Sequence, residues 1–335
     1  MNLAKQRLGV FLFILTLVLG VLYVTHDTAS THRSKPSHSE SKPDSLQYYA
    51  SQLSACLQKI SGLNAQLSAK GKSPGQRELF KKHLDSLLVL KSNILKKKSN
   101  VISTLSEGHK VLWNNRAYRV FVARAKEHQI ATHLMKTDRI QFKGLADLKK
   151  HLNTNNKQVL MVTNGGMFTV DNKPVGFFRS SAERRQYPLD TSTTKFNDNF
   201  HLYPNGVFFV DSTGHPGVLT TSAFNNSKFY HAAAMATQSG PMLVIDGKIH
   251  PKFKQGSQNV KIRSAVGVIS GEVAVFVAST QPVSFWDIAE MQLELFGCRN
   301  ALFLDGVVSL MDVHDMPPPP DRSFGPMISV TQKSK

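Results

Sequence analysis

Asp305 stands at the end of a short apolar segment, Ala301 to Leu304, and Gly306 follows it directly. The apolar run predicts a buried strand, and the glycine allows the chain to turn tightly after it. A carboxylate in that position is costly to remove from water unless it has a partner or a chemical task. Asp305 is therefore our first candidate for catalysis. The alternative role is a turn cap, because aspartate often accepts backbone N–H bonds in turns.

Two further turns combine glycine with small polar side chains beside an apolar run. These two turns, together with Gly306 and Ser309 after Asp305, supply the candidate substrate-binding residues. The residues of the two turns are Asn164, Gly165, Gly166, Ser239 and Gly240. Backbone N–H groups in such turns can bind anionic oxygens, since no Cβ is in the way. The alternative is a plain strand-to-loop turn, because Asn-Gly and Gly-Gly are common turn pairs. Three turns of this kind predict one concave site assembled from distant parts of the chain.

Arg263 and Glu290 are the charged residues that could complete such a site. Arg263 precedes the apolar run Ala265 to Ile269, and an arginine can bind a phosphate with two parallel hydrogen bonds. Its alternative role is that of a surface arginine at a strand edge. Glu290 lies on a predicted helix, Phe285 to Phe296, as a second candidate carboxylate. It shares a helix face with Asp287, so a solvated or capping acid is the alternative.

Other residue types give weaker signals for chemistry. Ser239 is expected to donate a hydrogen bond to substrate rather than to act as a nucleophile, because no G-x-S-x-G motif surrounds it and Pro241 follows instead of a helix. His231 and His250 are expected to be structural groups rather than acids or bases. The sequence holds no His, Cys, Asp and Glu cluster with metal-ligand spacing, so no metal or cofactor is predicted. Acidic turns can nevertheless bind a hard cation such as calcium.

Charge and cysteine content exclude several classes of protein. The net charge is +18, and residues 1–110 carry 16 Lys and Arg against 6 Asp and Glu. More than half of the excess therefore precedes the candidate site, which favours attraction to anionic lipid or envelope polymer. No basic stripe is interleaved with aromatic residues, which disfavours a nucleic-acid partner. With Cys56 and Cys298 alone, a disulfide framework is excluded, and Cys298 is expected to be a core thiol.

The N-terminus has the pattern of a targeting segment. Lys5 and Arg7 precede an apolar run from Leu8 to Val24, the order found in signal peptides and in anchors whose positive side stays in the cytoplasm. The run is at the short limit for spanning a bilayer, and no good cleavage site follows it. We expect residues 1–24 to be an uncleaved single-pass anchor in the inner (cytoplasmic) membrane, with the main domain exported to the periplasm or cell exterior. A cleaved signal peptide is the alternative.

The remaining chain divides into three parts. Residues 25–45 are rich in Ser, Thr, His, Lys and Pro, which predicts a flexible linker. Residues 46–100 show two stretches of helical spacing around a break at Lys70 to Gly75, which predicts an antiparallel helical hairpin. Residues 107–335 hold short apolar runs between turns and few helices. This pattern predicts an α+β domain built around a mixed sheet.

Six motifs in this last part resemble, in the same order, those of the phosphodiester glycosidase family. They are NGGMF at 164–168, PNGVF at 204–208, QSGPML at 238–243, IRSAVG at 262–267, SFWDIAE at 284–290 and FLDGVVS at 303–309. The likeness covers roughly residues 107–335 and is strongest to the bacterial exported branch. It implies a hydrolase that cleaves a carbohydrate phosphodiester at the anomeric carbon of the sugar. It also implies that Asp305 stabilises the sugar cation or orients water, and that Arg263 binds the phosphate.

Two rival functions stay open. The family pattern has further glycine after the Asp-Gly pair, whereas Val307 and Val308 stand here. That departure favours a non-catalytic envelope module that binds glycan or polymer. The helical hairpin favours a structural protein that docks on a partner through residues 46–98. No oligomeric state is predicted.

Overall fold

The computed structural model describes residues 46–104, 108–137, 140–180, 183, 185–192, 198–306, 308–320 and 322–333. The predicted membrane segment and linker, residues 1–45, lie outside the described residues, and so does Val307. None of the helices within the described ranges has both the length and the apolar character that a membrane crossing requires.

Two long helices form the predicted hairpin. Helix α1 spans Leu46–Ser68 and helix α2 spans Pro74–Thr104. Helix α2 begins at Pro74 because Ser73 and Gln76 satisfy each other's backbone N–H groups. The Gln76 N–H donates to Ser73 Oγ at 3.3 Å, and the Ser73 N–H donates to Gln76 Oε1 at 3.0 Å. A proline fits the first helical position, whose N–H would have no partner within the helix.

The hairpin packs against the strands that follow it. The buried residues of α1 recur every three or four positions and include Leu46, Tyr49, Ala50, Leu53 and Cys56. They share one core with Trp113. Helix α2 continues past the predicted end at residue 100, and Ile102 in this added turn is buried in the same core. Lys98 is only 4% exposed, and its Nζ donates to Glu294 O at 3.0 Å. Cys56 and Cys298 are buried free thiols, as expected for Cys298.

Three sheets make up the rest of the described chain. The strands of sheet 1, in spatial order, are β1 (Gly108–Trp113), β2 (Arg116–Arg124), β13 (Val273–Ser279), β12 (Ser264–Ser270), β14 (Asn300–Asp305), β10 (Met242–Ile245) and β11 (Lys248–Ile249). Those of sheet 2 are β15 (Met311–Val313), β4 (Val159–Asn164), β16 (Met327–Gln332) and β3 (His128–His133). Those of sheet 3 are β6 (Arg185–Tyr187), β5 (Phe178–Ser180), β9 (Ala233–Ser239), β7 (Gly206–Asp211) and β8 (Pro216–Thr220).

The expectation of a mixed sheet is corrected, because every strand pairing between described residues is antiparallel. The short helices in this part are α3 (Leu145–Thr154), α4 (Thr221–Asn225), α5 (Phe229–Ala232) and α6 (Phe285–Glu290), the last continued by a π-helical turn, Met291–Leu295. Helix α6 connects β13 to β14, and crossovers of this kind join parallel strands. Strand β12 lies between these two strands and pairs antiparallel with both, so the crossover creates no parallel neighbours.

Sheet 1 is covered on both faces. The hairpin and α6 pack on one face, against residues such as Ala265 and Phe303. Sheets 2 and 3 pack on the other face, against residues such as Val266 and Leu302. Each fully buried Val, Leu or Phe side chain among them contributes roughly 1.5–3 kcal/mol relative to an exposed one. Burial on both faces also explains why these strands show continuous apolar runs in the sequence instead of alternation.

Candidate active site

Asp305 lies where β14 leaves the core of sheet 1. It faces Ser264 of β12 across a register shift in the strand pair, and its side chain is half-buried. Its Oδ1 accepts a hydrogen bond from the Gly306 N–H at 2.5 Å. Within the described part of the chain, no Lys, Arg or His forms an ion pair with it. Burial therefore raises the pKa of Asp305 from 3.8 to about 6, and the Gly306 N–H offsets only part of that shift.

A buried chain of hydrogen bonds holds the backbone of Asp305. Asn164 Nδ2 donates to Ser264 Oγ at 2.8 Å, and the hydroxyl oxygens of Ser264 and Ser309 lie 3.0 Å apart. Ser309 Oγ donates to Asp305 O at 2.5 Å. Each hydroxyl has one proton to donate. All donors are satisfied when Asn164 donates to Ser264, Ser264 donates to Ser309, and Ser309 donates to Asp305 O. Sequence reasoning missed Ser264, although a polar residue at the start of an apolar strand was the available signal.

The two predicted glycine turns meet the same strand end. Ser239 Oγ donates to Leu304 O at 2.9 Å, which fixes the residue before Asp305. The Gly165 N–H donates to Pro326 O at 2.7 Å, and Gly165 O accepts from Thr237 Oγ1. The hydroxyl of Ser239 and the N–H of Gly165 are thus used within the protein. The Ser239 hydroxyl positions β14, and contact of either turn with substrate stays a prediction.

Close packing accounts for glycine at two of these positions. A Cβ on Gly165 would lie 3.0 Å from backbone atoms of Met327. A Cβ on Gly240 would lie 2.7 Å from the Cβ of Asn205. Both distances are at or below the lower limit of real Cβ contacts. Gly166 lies in the same turn as Gly165, with its backbone at φ 136°. Hydrogen bonds thus connect Asn164, Ser239 and Ser309 to the end of β14, whereas Gly165, Gly166 and Gly240 adjoin Asn164 and Ser239 in the chain and have their close contacts elsewhere.

Arg263 precedes Ser264 in the chain, but its side chain enters the core and is 1% exposed. The guanidinium carbon lies 3.7 Å from the ring centroid of Phe285 and 5.4 Å from that of Phe303. The tip of the Phe303 ring is also close to Gly306, where an added Cβ would be 3.6 Å away. The Phe303 ring is thus near both the guanidinium and the turn that carries Asp305. Among the described residues, Arg263 and Asp305 form no ion pair.

Hydrogen bonds fix two nitrogens of the Arg263 guanidinium. Nε donates to Val283 O at 2.9 Å, and Nη2 donates to Asn259 O at 3.0 Å. Nη1 is buried and has no hydrogen-bond partner among the described residues. Burial lowers the pKa of Arg263 to about 10, so the side chain remains charged at neutral pH. The two side chains that we expected to face one cleft therefore have different surroundings.

A basic cavity of about 250 Å³ lies beside Arg263. Asn259 and Phe285 line this cavity and also contact Arg263. Its other lining residues are Asn199, Leu202, Lys252, Phe253, Lys254, Ser257 and Trp286. The two lysines are exposed, so they are the accessible cations at this place. Lys252 and Lys254 were not predicted as functional residues, since isolated surface lysines form no recognisable motif.

Glu290 connects three elements of the fold. Its Oε2 accepts from Asn114 Nδ2 at 2.7 Å, and its Oε1 accepts from Trp286 Nε1 at 3.3 Å. Asn114 belongs to the turn between β1 and β2 and accepts from Ser54 Oγ of α1. Burial raises the pKa of Glu290. This carboxyl group thus holds the hairpin, a turn and the Trp286 indole together, which favours a structural role over the catalytic role considered from the sequence.

The two histidines considered from the sequence have ordinary structural surroundings. His250 Nε2 lies 3.0 Å from Tyr203 O, and its Nδ1 accepts from the Lys252 N–H at 3.2 Å. Burial lowers the pKa of His250, which favours the neutral ring that these contacts require. His231 lies exposed on α5.

Comparison with known proteins identifies one family and a number of similar chains. The sequence model of the phosphodiester glycosidase family matches residues 157–324. The uncharacterized protein YigE of Escherichia coli (strain K12) is 33% identical over 177 residues, which cover 52% of this chain and 67% of that protein.

Two solved structures are also similar to this chain. The first is the catalytic domain of zebrafish N-acetylglucosamine-1-phosphodiester alpha-N-acetylglucosaminidase, auto-inhibited by its pro-peptide. It has a TM-score of 0.47 and 12% identity over 68% of this chain and 82% of that chain. The second is a hypothetical protein from Synechocystis, with a TM-score of 0.41 and 13% identity over 69% of this chain and 65% of that chain.

Proposed function

This chain belongs to the phosphodiester glycosidase family, and on that basis we propose that it hydrolyses a sugar-1-phosphodiester at the anomeric carbon. Water attacks that carbon, the bond from the carbon to the phosphodiester oxygen breaks, and a phosphomonoester leaves. Positive charge builds on the sugar ring in the transition state. The phosphomonoester leaves readily, so a strong general acid matters less than a carboxylate beside the sugar.

Asp305 is the residue that supports this proposal most strongly. A half-buried carboxylate without a cationic partner is unfavourable for folding, and such groups concentrate at functional sites. With a pKa of about 6, Asp305 is largely ionised at pH 7 and can still exchange a proton. It would stabilise the cationic sugar or orient the attacking water. The Asn164, Ser264 and Ser309 hydrogen bonds would keep its backbone fixed during the reaction.

The phosphate side of the site is proposed to lie at the basic cavity. Lys252 and Lys254 are the accessible cations among its described lining residues, and Arg263 beneath adds a fixed positive charge, with no partner for its Nη1 among the described residues. Trp286, held by Glu290, offers a flat apolar surface beside these charges. Arg263 would bind phosphate directly only if substrate displaces the residues that cover it. A role through its electrostatic potential requires no such movement.

Hydrolysis in ¹⁸O-labelled water tests which bond breaks. The substrate is an aryl ester of a sugar 1-phosphate, incubated with the full chain, and both products are analysed by mass spectrometry. Cleavage at the anomeric carbon places the label on the released sugar and none on the phosphate. Label on the phosphate would show attack at phosphorus and would contradict a glycosidase mechanism.

The rival function is a non-catalytic module that binds envelope glycan or polymer. The observation in its favour is Val308, which packs on the core cluster around Phe324 and Met327, where the family pattern has glycine. A more closed turn beside Asp305 would restrict access for substrate. Saturable binding of the same ester without release of sugar would favour this rival.

We also propose export with a membrane anchor, supported by the basic residues and apolar run within residues 1–24. In cells that express the full chain, the protein should stay in the membrane pellet after a carbonate wash. Protease added to spheroplasts should digest the domain outside. Recovery of the intact chain in the cytosolic fraction would contradict the proposal.

A further inference from the structure

The helical hairpin carries a large share of the positive charge. Residues 46–104 hold 10 Lys and Arg against 2 Asp and Glu, hence a net charge of +8 in a chain whose net charge is +18. Lys91 is paired, because its Nζ lies 2.7 Å from Glu294 Oε2. Five basic residues are exposed on α2 and form no ion pair among the described residues, namely Arg77, Lys81, Lys82, Lys96 and Lys97. These charges are therefore available to an anionic partner.

Exposed apolar side chains are concentrated on the same helix. Leu79 is 40% exposed, Leu88 46%, Val89 62% and Leu90 46%. They are four of the eight large apolar side chains that the described residues expose. Between residues 57 and 93 no residue of the hairpin is buried, so the two helices do not cover each other's apolar side chains there. Exposed apolar surface that is grouped in this way is typical of an interaction site.

Charged and apolar residues share one face of α2, which we call the outer face. With 3.6 residues per turn, its members fall within an arc of about 100°. They are Leu79, Lys82, Val89, Leu90 and Lys97, all exposed. Ile94 and Ile102 lie on another side of the helix and pack in the core. The outer face therefore points away from the rest of the described chain.

The charge and the spacing of the outer face favour a lipid surface as the occupant. A second copy of the chain would bring an equally basic hairpin, and like charges repel. A partner helix would require an apolar residue at every third or fourth position. Ser86 and Asn93 occupy such positions on this face instead. A bilayer requires no fixed spacing, and lysine side chains can lie along apolar surface while their ammonium groups reach lipid phosphates.

We propose that the outer face of α2 docks on an anionic lipid bilayer, with Val89 and Leu90 at the boundary of the acyl chains and Lys82 and Lys97 against the phosphates. The helix would lie along the surface, since no described helix can cross a membrane. Docking of this kind requires no turnover, so it is independent of the proposed hydrolysis. The anchor proposed above would keep α2 near the bilayer, because a flexible linker of the length of residues 25–45 spans on the order of 25 Å.

A fluorophore attached at residue 89 of the full chain tests the docking. Val89→Cys is labelled with a nitrobenzoxadiazole group, whose emission rises and shifts to the blue in an apolar environment. The native thiols of Cys56 and Cys298 are 3% and 0% exposed, so they are protected from the label. The labelled chain is mixed with vesicles of phosphatidylcholine, alone or with phosphatidylglycerol as about a third of the lipid. Insertion of the anchor alone would bring the chain to either vesicle without changing the surroundings of residue 89.

The emission at residue 89 should rise at least about two-fold with the anionic vesicles and not with the neutral ones. The rise should vanish in about 0.5 M NaCl, where the Debye length falls to roughly 4 Å. It should also vanish when Lys82→Gln and Lys97→Gln are added. The matched control is Lys150→Gln with Lys157→Gln, which removes the same charge from exposed positions beside sheet 2 and should keep the rise.

A label at Ser212→Cys, in the exposed turn between β7 and β8, should show no change on either vesicle. No rise at residue 89 with anionic vesicles, an equal rise with neutral ones, or an equal rise at residue 212 would overturn the proposal. An unchanged rise in the variant without Lys82 and Lys97 would do the same. A rise with soluble polyglutamate and none with anionic vesicles would assign the face to an acidic protein instead. A rise with neutral vesicles that grows with protein concentration would assign it to a second copy.

Discussion

Replacement of Asp305 by Asn should stabilise the protein at neutral pH. The native carboxyl has a pKa of about 6, against 3.8 for the ordinary group, because burial disfavours its charged form. A shift of about two units corresponds to roughly 3 kcal/mol, and partial exposure reduces this to about 1–3 kcal/mol. Asparagine keeps the acceptor for the Gly306 N–H and carries no charge. The free energy of unfolding of Asp305→Asn should therefore exceed that of the unmodified chain by this amount above pH 7.

The sign of the pH dependence follows from proton binding. The native state binds the Asp305 proton more tightly than the unfolded state does, so the unmodified chain loses stability as pH rises from about 4 through 6. The higher free energy of unfolding of Asp305→Asn should therefore disappear at pH 4. Urea unfolding at pH 4 and pH 8 measures it, with Asp246→Asn as the control, since Asp246 is an exposed turn residue whose positive φ asparagine tolerates. Equal differences at both pH values would refute the assigned burial of Asp305.

Three further predictions concern activity and the surrounding network. The kcat/KM for the sugar-1-phosphodiester should rise as pH increases through about 6, because Asp305 must be ionised; a flat profile from pH 5 to pH 7 would contradict this. Ser264→Ala breaks the buried hydrogen-bond chain and should lower the free energy of unfolding by about 1–3 kcal/mol in urea. Ser270→Ala, at the exposed end of the same strand, should leave the free energy of unfolding almost unchanged. An equal loss of unfolding free energy in both variants would contradict a stabilising role of the buried network. Glu290→Gln keeps an acceptor for Asn114 and should retain at least about half of the turnover, whereas a hundred-fold loss would make Glu290 a catalytic acid.

Much of the β-structure could be predicted because sheet 1 is buried on both faces. The apolar runs at 242–245, 273–278 and 301–304 coincide with β10, β13 and β14, and the Asn114-Asn115 pair coincides with the turn between β1 and β2. Both of those asparagines have positive φ, as a two-residue hairpin turn requires. Strand β9 was missed, since its sequence AAMATQS has no Val, Ile, Leu or aromatic residue and ends in three polar residues. Its polar side chains are buried through bonds to residues far away in the chain.

The candidate site was predictable only in part for a similar reason. Asp305 follows an apolar strand, so its position could be predicted from the local sequence. The burial of Arg263 could not, because its contacts with Asn259, Val283 and Phe285 form only in the folded chain. Short motifs indicated which segments meet, whereas the direction of each side chain depends on strand register, which local sequence does not determine.

Release of free sugar from an aryl ester of a sugar 1-phosphate is the most direct test of the central claim. The full chain and its Asp246→Asn control should release reducing sugar at the same rate. Asp305→Asn, with its folding verified by urea unfolding, should lose at least about a thousand-fold in turnover, or roughly 4 kcal/mol of transition-state stabilisation. Unchanged sugar release by Asp305→Asn would show that the reaction does not depend on this carboxylate.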